Sequence, residues 1–533
     1  MKRSAAVLLV LGSLALNACG KDSVAERQKQ ANDLAKGIED YLAAAETGSA
    51  AGLHHDKVTV TPVEGDDFAV TISGVKFGTS QTSRAEIGDI SYRIKLKENG
   101  DYTADQLAYA HEIPVLGADG KPVGSVKLEP GNFQAEWSKA LNTFIALDWQ
   151  VKNFDARGVA ADEGAVAAQA MEFKIDTTDK GNGIVDQKDS MSVDSLTVSD
   201  PGSQQKLSIA KMSGSGSMSG LDIRAFQAGM AKLRGIATKA AALPQGEVAQ
   251  GQDAQDQTAQ ALNGQALNGQ ASNGAAPAPA GGLSDEDRKT ASDLVHQLPK
   301  VLGSLDYNFT VEGVSASESS DTESFKLASA GFALGVKDLN SDKSELDFEI
   351  KHDGLTLGGT QDPVMKALLP HTGNLALSFV DIPTPALLDA MAQSLPNLLT
   401  GDQTSRQMGL FMLMGSMSEL LQKSDIKVKI NPSGLAAEQA KLTAQGDLKV
   451  ATTPYMAIGT VTAMVTGLDD LINTLGAAPA SQPDVMQAIA MLQSLKGYGQ
   501  RSNGTDGKPV DQYKFDLTPD GQMLVNGKPI NGL

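Results

Sequence analysis

Hydrophobic and polar residues alternate with a period of two along much of the chain, which predicts β-strands. The clearest alternating segments lie at 58–60, 68–72, 90–96 and 190–198. One face of each strand is apolar and the other is polar, which is typical of an antiparallel sheet with one solvated face. Short turns such as Asn99-Gly100-Asp101 separate the strands. We therefore expect a mainly β fold with additional helices (α+β).

Helical spacing of apolar residues appears first between residues 23 and 45. This pattern predicts an amphipathic helix that packs on its own domain. The alternative, a helix lying on a membrane surface, is disfavoured by the acidic residues on the segment. A later helix is predicted to start after Ser284, which has the character of an N-cap before three acidic residues.

Residues 405–421 form the most apolar helical segment outside the N-terminus, and the segment is rich in methionine. A helix that is apolar nearly all round is expected to be buried in a core. Methionine also lines adaptable apolar grooves, so a groove accessible to lipid is the alternative interpretation.

Residues 245–282 consist mostly of Ala, Gln, Gly, Asn and Pro, and the pentapeptide Ala-Leu-Asn-Gly-Gln occurs twice in succession at 261–270. Such a segment buries too little apolar area to offset the entropy of ordering, so we predict a disordered linker. It would join two β-rich lobes at 51–244 and 283–533.

The two predicted lobes share a sequence pattern. The strand segment 68–75 matches 307–314, and both end in Gly-Val. A second alternating strand follows each, at 89–96 and 331–336. We interpret the lobes as related by an internal repeat, with chance similarity between strands as the alternative.

A strand-to-helix junction of similar sequence occurs three times, at 219–222, 380–383 and 466–469. Each contains an aspartate, whose carboxylate can accept hydrogen bonds from the first N–H groups of a helix.

The N-terminus has the features of an export signal. Lys2 and Arg3 precede an apolar run over residues 5–16 that is too short to span a bilayer. The end of this run resembles the lipobox of bacterial lipoproteins: Leu16, Asn17, Ala18 and Cys19.

The resemblance implies a signal peptide over 1–18 that is removed, and an anchor and helix over 19–50. It also implies that the Cys19 thiol carries acyl chains that hold the protein on a membrane. Gly20 after the cysteine favours the outer membrane, with the protein facing the periplasm. A chance cysteine after an ordinary signal peptide is the alternative.

The net charge and the cysteine count argue against a nucleic-acid-binding protein and against an internal disulfide. The net charge is −19, from 64 acidic and 45 basic residues, which argues against nucleic acid as a partner. Cys19 is the only cysteine, so the processed chain forms no internal disulfide.

The sequence contains only weak candidates for catalytic or ligand-binding motifs. Adjacent side chains of a strand point apart, so His54-His55-Asp56 is a poor metal chelate. The segment 179–183, with Asp186 and Asp189, lacks the spacing of a calcium loop and is interpreted as a hairpin turn. Trp137 and Trp149 are expected to be core residues and not a ligand cage. We therefore predict no catalytic, metal or cofactor site.

The C-terminal hundred residues resemble a known family. The glycine-marked strands and junction at 446–448, 459 and 467–469, followed by 515–518 and 525–530, are similar to the bacterial domain-of-unknown-function 2125 family. They are also reminiscent of the large β-rich AsmA-like envelope proteins, although the lipobox replaces the membrane helix of that group. The family supplies no catalytic residues.

These features lead to three hypotheses. The first is a non-enzymatic, lipid-anchored envelope protein that binds an apolar ligand or lipid in a β-rich groove. The second is a structural or assembly-accessory lipoprotein that acts through protein partners. The third is a hydrolase whose site has no recognisable motif.

Overall fold

The computed structural model describes residues 24–48, 52–78, 83–159, 164–200, 202, 205–241, 283–317, 323–358, 363–399, 403–423, 425–451, 453, 455, 457–477, 483–504 and 507–530. The predicted signal peptide, the lipobox with Cys19, and the predicted linker at 245–282 lie outside the described residues.

Most of the described chain is strand, which confirms the mainly β prediction. The strands are β1 Leu53–His54, β2 Lys57–Pro62, β3 Asp67–Gly78, β4 Ser83–Leu96, β5 Tyr102–Ala108, β6 Glu112–Gly117, β7 Pro122–Ser138, β8 Thr143–Gly158, β9 Ala165–Gly181, β10 Ile184–Asp200, β11 Gln205–Asp222, β12 Ser304–Ser317, β13 Glu323–Lys337, β14 Lys343–Asp353, β15 Thr356–Leu357, β16 Thr372–Pro383, β17 Lys427–Ala436, β18 Lys441–Val450, β19 Ala457–Thr466, β20 Gln500–Asn503, β21 Pro509–Leu517, β22 Met523–Val525 and β23 Lys528–Pro529.

Helices connect the strands at several points along the chain. They are α1 Val24–Gly48, α2 Ile223–Ala241, α3 Asp285–Val301, α4 Pro363–Leu368, α5 Thr384–Leu398, α6 Gln403–Lys423, α7 Leu468–Gly476 and α8 Pro483–Tyr498. None of these described helices is long and apolar enough to cross a membrane.

The strands form one antiparallel sheet in which most strands pair with their neighbours in sequence. β11 pairs with β12 over a long register, from Lys206 opposite Ser317 to Ser219 opposite Ser304. The β-rich parts before and after residues 242–282 are therefore parts of one continuous sheet. Antiparallel pairing satisfies the backbone N–H and C=O groups of each inner strand on both sides.

The largest core lies between α1 and the first strands. Ala31, Leu34, Ile38 and Leu42 of α1 are buried in one apolar cluster with residues of β2–β8. Arg27 fixes the start of the helix, because its Nη2 donates hydrogen bonds to the carbonyl oxygens of residues 63 and 67 at 2.9 and 3.1 Å. The prediction that α1 packs on its own domain is confirmed.

Both tryptophans lie in this core. Trp137 is buried and packs edge-on against Phe144, with ring centroids 5.0 Å apart. Trp149 is partly buried and packs against the same cluster. The prediction that they are core residues is confirmed.

The three predicted junctions share one backbone conformation. Gly220, Asp381 and Gly467 have φ values of 62°, 63° and 78°. In each case the next residue is a buried aliphatic side chain: Leu221, Ile382 or Leu468. The left-handed residue turns the chain from the strand toward the helix, and the aliphatic residue fixes the turn in a core.

The capping role predicted for the junction aspartates holds at one of them. Asp222 Oδ1 accepts a hydrogen bond from the Ala225 N–H at 3.0 Å. Asp381 instead pairs with Lys427 Nζ at 2.8 Å, and Asp469 pairs with Lys496 Nζ at 2.5 Å. These two carboxylates therefore connect neighbouring elements and do not cap a helix.

The helices between β11 and β17 pack on one another. Ile236 of α2 and Ala291 of α3 are buried in one cluster, against which Leu395 of α5 packs. Ser284 caps α3 as predicted, since its Oγ accepts a hydrogen bond from the Asp287 N–H at 3.1 Å.

The Met-rich helix is α6, and the prediction that it is core is wrong. Gly409 and Leu420 are buried, and Gly409 lies against Asn397 and Leu398 of α5. Five apolar side chains are exposed: Met408, Leu410, Phe411, Met412 and Met414. The helix has the predicted composition, but these described apolar side chains are not covered by neighbouring elements.

Candidate ligand-binding surface

The apolar side chains of the central strands lie on one face of the sheet and form continuous rows across the strands. Partner residues in the register define the middle row: Phe173, Met191, Phe309, Phe332, Ile350 and Leu375, with Gly214 between Met191 and Phe309. This row crosses β9 to β16. The period-two alternation of each strand places these residues on the same face.

A parallel row lies on each side of it, two residues along each strand. One contains Ile175, Tyr307, Leu334, Phe348 and Leu377. The other contains Met171, Val193, Met212, Val311 and Ala330. We call these three rows the apolar strip.

The apolar strip is open to solvent near its centre. Ile350 is 50% exposed, and Met191, Leu375 and Tyr307 are also exposed. Phe332 and Phe348 are partly exposed and pack edge to face, with ring centroids 5.6 Å apart. Contiguous apolar surface of this extent on a soluble protein is typical of an interaction or ligand site.

Helices pack near both ends of the sheet. At the N-terminal end, Phe173 and Ile175 of β9 pack against the core that α1 closes. At the C-terminal end, Leu495 and Tyr498 of α8 pack against the buried Tyr513 of β21. The strip therefore occupies the central part of the sheet, between two covered regions.

The size of the strip suits a hydrocarbon chain. The middle row crosses seven adjacent strands, which spans about 29 Å at a strand spacing of about 4.8 Å. One leaflet of a bilayer has acyl chains that extend over roughly 15 Å. An extended acyl chain would therefore fit along the row.

The opposite face of the same strands is polar. A groove of about 860 Å³ at these strands is lined by Lys174, Lys188, Ser190, Ser215, Asp306 and Asp347 of this face, and its lining also includes Tyr307, Leu334, Phe348 and Leu377 of the strip. Hydroxyl groups pair across the strands here, for example Ser213 Oγ and Thr310 Oγ1 at 2.6 Å. Charges of both signs and small hydroxyl side chains are expected on a hydrated sheet face.

One carboxylate in this network is tied to its surroundings by several partners. Asp347 accepts hydrogen bonds from Lys337 Nζ and Ser378 Oγ, each at 2.5 Å. Burial acts to raise the pKa of Asp347, but these donors outweigh it and hold the pKa below its ordinary value. The network connects β13, β14 and β16 on the polar face.

The weak motif candidates have structural roles. His55 Nε2 pairs with Glu39 Oε1 of α1 at 3.2 Å. Residues 179–183 form the hairpin between β9 and β10, where Lys180 pairs with Asp186 at 2.8 Å. Within the described residues, no group of three or more His, Asp or Glu side chains is arranged to hold a metal ion.

The sequence pattern places Asp189 with residues 179–183 and Asp186 in the predicted hairpin. In the structure, Asp189 lies on the apolar strip. It lies opposite Ile175 on β9 and Gly216 on β11. The signal in the sequence that identifies its position is the alternation of residues 189, 191 and 193 in β10. This alternation places Asp189 on the same face of the strand as Met191 and Val193.

The chain has no match among protein-family models, curated proteins or solved structures.

Proposed function

We propose that this protein is a non-enzymatic, lipid-anchored protein of the bacterial cell envelope that binds a lipid acyl chain along the apolar strip. The observation that supports this proposal is the solvent-open apolar surface at the centre of the sheet. Leaving this area exposed to water costs free energy, roughly 25 cal/mol for each Å² that a ligand would cover. A bound hydrocarbon chain would remove that cost.

The lipobox match at Leu16–Cys19 supports the location. Acyl chains on Cys19 would hold the protein on the outer membrane, facing the periplasm, beside the lipids that the strip would bind. The resemblance of the C-terminal region to the domain-of-unknown-function 2125 family is consistent with this location.

Mass spectrometry of noncovalently bound lipid tests the proposal. Protein purified from envelopes is extracted with organic solvent, and the released lipid is compared between variants. Ile350→Asp with Leu375→Asp places two charges in the middle row, where both side chains are exposed. Met464→Asp is the matched control, because Met464 is exposed on the opposite face of β19.

We expect wild type and the Met464 variant to carry lipid, and the double variant to be folded by circular dichroism but depleted of lipid. Equal lipid in all three proteins, or none in the wild type, would overturn the proposal.

A second candidate function, contact with a protein partner, is favoured by α6. Phe411 is 75% exposed and Met414 is 71% exposed on this helix. Helices that lie on bilayers usually have many lysines and arginines along their polar face. Over Gln403–Lys423, α6 has only two basic residues, Arg406 and Lys423. The apolar surface of another envelope protein is therefore the better occupant.

A photo-crosslinking amino acid at position 411 tests this function in intact cells. A discrete adduct with one protein, lost when Met408 and Met414 are changed to Ser, would support it. Adducts with lipid alone, or an adduct that the Ser changes leave intact, would contradict it.

A further inference from the structure

Asp189 is the one carboxylate within the described rows of the apolar strip. Its nearest neighbours across the strands are Ile175 and Gly216, and Met191 follows it on the same face. The lysines closest to it, Lys188 and Lys174, occupy register positions whose side chains alternate to the opposite face. The carboxylate thus stands on an apolar surface, separated by the sheet from the nearby cations.

Two glycines of β11 shape the surface around it. Asp189 Oδ1 lies 2.7 Å from the point where a Cβ on residue 216 would stand. Met191 Cγ lies 3.2 Å from the corresponding point on residue 214, and the Tyr307 hydroxyl lies 3.5 Å from that point. Because neither glycine has a side chain, the side chains of Asp189 and Met191 can pack flat against the backbone of β11.

The environment of Asp189 disfavours its charged form. Burial raises the pKa of Asp189 above the ordinary value for an aspartate. The described residues provide no hydrogen bond or ion pair to its carboxylate. A partly desolvated carboxylate without a partner is costly, and a cation that reached it would offset that cost.

We propose that Asp189 binds the ammonium group of an amphiphile whose alkyl chain lies on the apolar strip. This inference rests on the proposed function and adds the chemical class of the ligand. The carboxylate would accept N–H hydrogen bonds from the ammonium group. The alkyl chain would extend along the middle row, toward Phe309 and Phe332. A neutral hydroxyl could donate to Asp189 as well, but charge-assisted hydrogen bonds are roughly twice as strong as neutral ones.

Calorimetric titration with two probes of equal chain length tests the inference. The probes are dodecylammonium and dodecanol, each below the concentration at which it aggregates. The full chain carries Cys19→Ser, so that no covalent acyl group can occupy the strip. Asp189→Asn removes the charge at constant shape. Asp194→Asn is the control for the general attraction of cations to an acidic protein, because Asp194 lies on the opposite face of the same strand.

We expect the chain to bind dodecylammonium at least tenfold more tightly than dodecanol. Asp189→Asn should abolish this preference and leave dodecanol binding unchanged, whereas Asp194→Asn should retain it. Dodecanol binding without a preference for the ammonium, or a preference that survives Asp189→Asn, would overturn this inference alone. Failure of the chain to bind dodecanol at all would overturn the proposed function as well.

Discussion

Ile350 of β14 and Leu375 of β16 are register partners on adjacent strands, and both side chains are exposed although both are aliphatic. Residues with the same alternation in β3 and β4, such as Val70 and Tyr92, also face each other and are buried. The two pairs differ in burial because α1 packs over the N-terminal strands, whereas the apolar face of the central strands is open to solvent. This contrast within one sheet is the basis of the proposed function.

The core beneath α1 should respond strongly to truncation. Leu34 is 1% exposed, so Leu34→Ala should lower the free energy of unfolding by about 2–5 kcal/mol, through lost burial and the cavity left behind. Val24→Ala is the control at the exposed start of the same helix and should change stability by less than about 0.5 kcal/mol. Urea denaturation measures both. Similar values for the two variants would mean that α1 does not pack as described.

The strand-to-helix junction should depend on its left-handed residue. Gly467 has φ 78°, and an added Cβ would stand 2.0 Å from the Gln439 carbonyl oxygen. We expect Gly467→Ala to cost at least about 1–3 kcal/mol of stability.

Gly476, at the end of α7, provides the comparison, since no atom lies within 4 Å of its added Cβ. Gly476→Ala should be neutral or stabilising by up to about 1 kcal/mol. Thermal unfolding of both variants checks the pair, and an unaffected Gly467→Ala protein would refute this account of the junction.

The ion pairs of Asp469 should make stability depend on pH. Hydrogen bonds from Lys496 and Arg501 hold the pKa of Asp469 below its ordinary value. Because the pKa is lowered in the folded state, the ion pairs of Asp469 contribute fully to stability above the pKa of the unfolded state, about 3.9. This contribution is lost as the pH falls through the pKa of the folded state.

Asp469→Asn should therefore destabilise the protein at pH 7 and progressively less below about pH 4. The loss should be about 1 kcal/mol or less, because the group is partly exposed and screened. The exposed neighbour Asp470 provides the control variant Asp470→Asn. A destabilisation by Asp469→Asn that is constant with pH would rule out the ion-pair explanation.

The proposed anchor has a direct test. Cys19→Ser removes the thiol that would receive the acyl chains, so the variant should not incorporate a clickable fatty acid supplied to the cells. The wild type grown in parallel should be labelled. Equal label in both proteins would show that acylation does not occur at Cys19.

The sequence predicted local structure well because local structure depends on local patterns. Alternation located the strands, helical spacing located α1, and Ser284 marked the start of α3. The three junctions were recognised from four residues each, and their shared left-handed conformation follows from the Gly or Asp at the turning position.

What covers each apolar face could not be predicted in this way. Alternation assigns Ile350 and Val70 to apolar faces equally, but burial depends on which helix returns to that face. The composition of α6 predicted a core helix for the same reason: apolarity indicates a need for a partner and does not say whether the chain provides one. The pairing of β11 with β12 joins strands more than eighty residues apart, which no local pattern encodes.

The most direct test of the central claim is a fluorescent reporter on the apolar strip. In the chain with Cys19→Ser, Ile350→Cys introduces the only thiol, and an environment-sensitive dye attached there reports the polarity at the middle row. Met464→Cys places the same dye on the opposite face. On addition of a neutral monoacylglycerol below its aggregation concentration, we predict a blue shift and saturable brightening at position 350 and no change at position 464. No change at 350, or equal changes at both positions, would contradict the claim that acyl chains bind along this face.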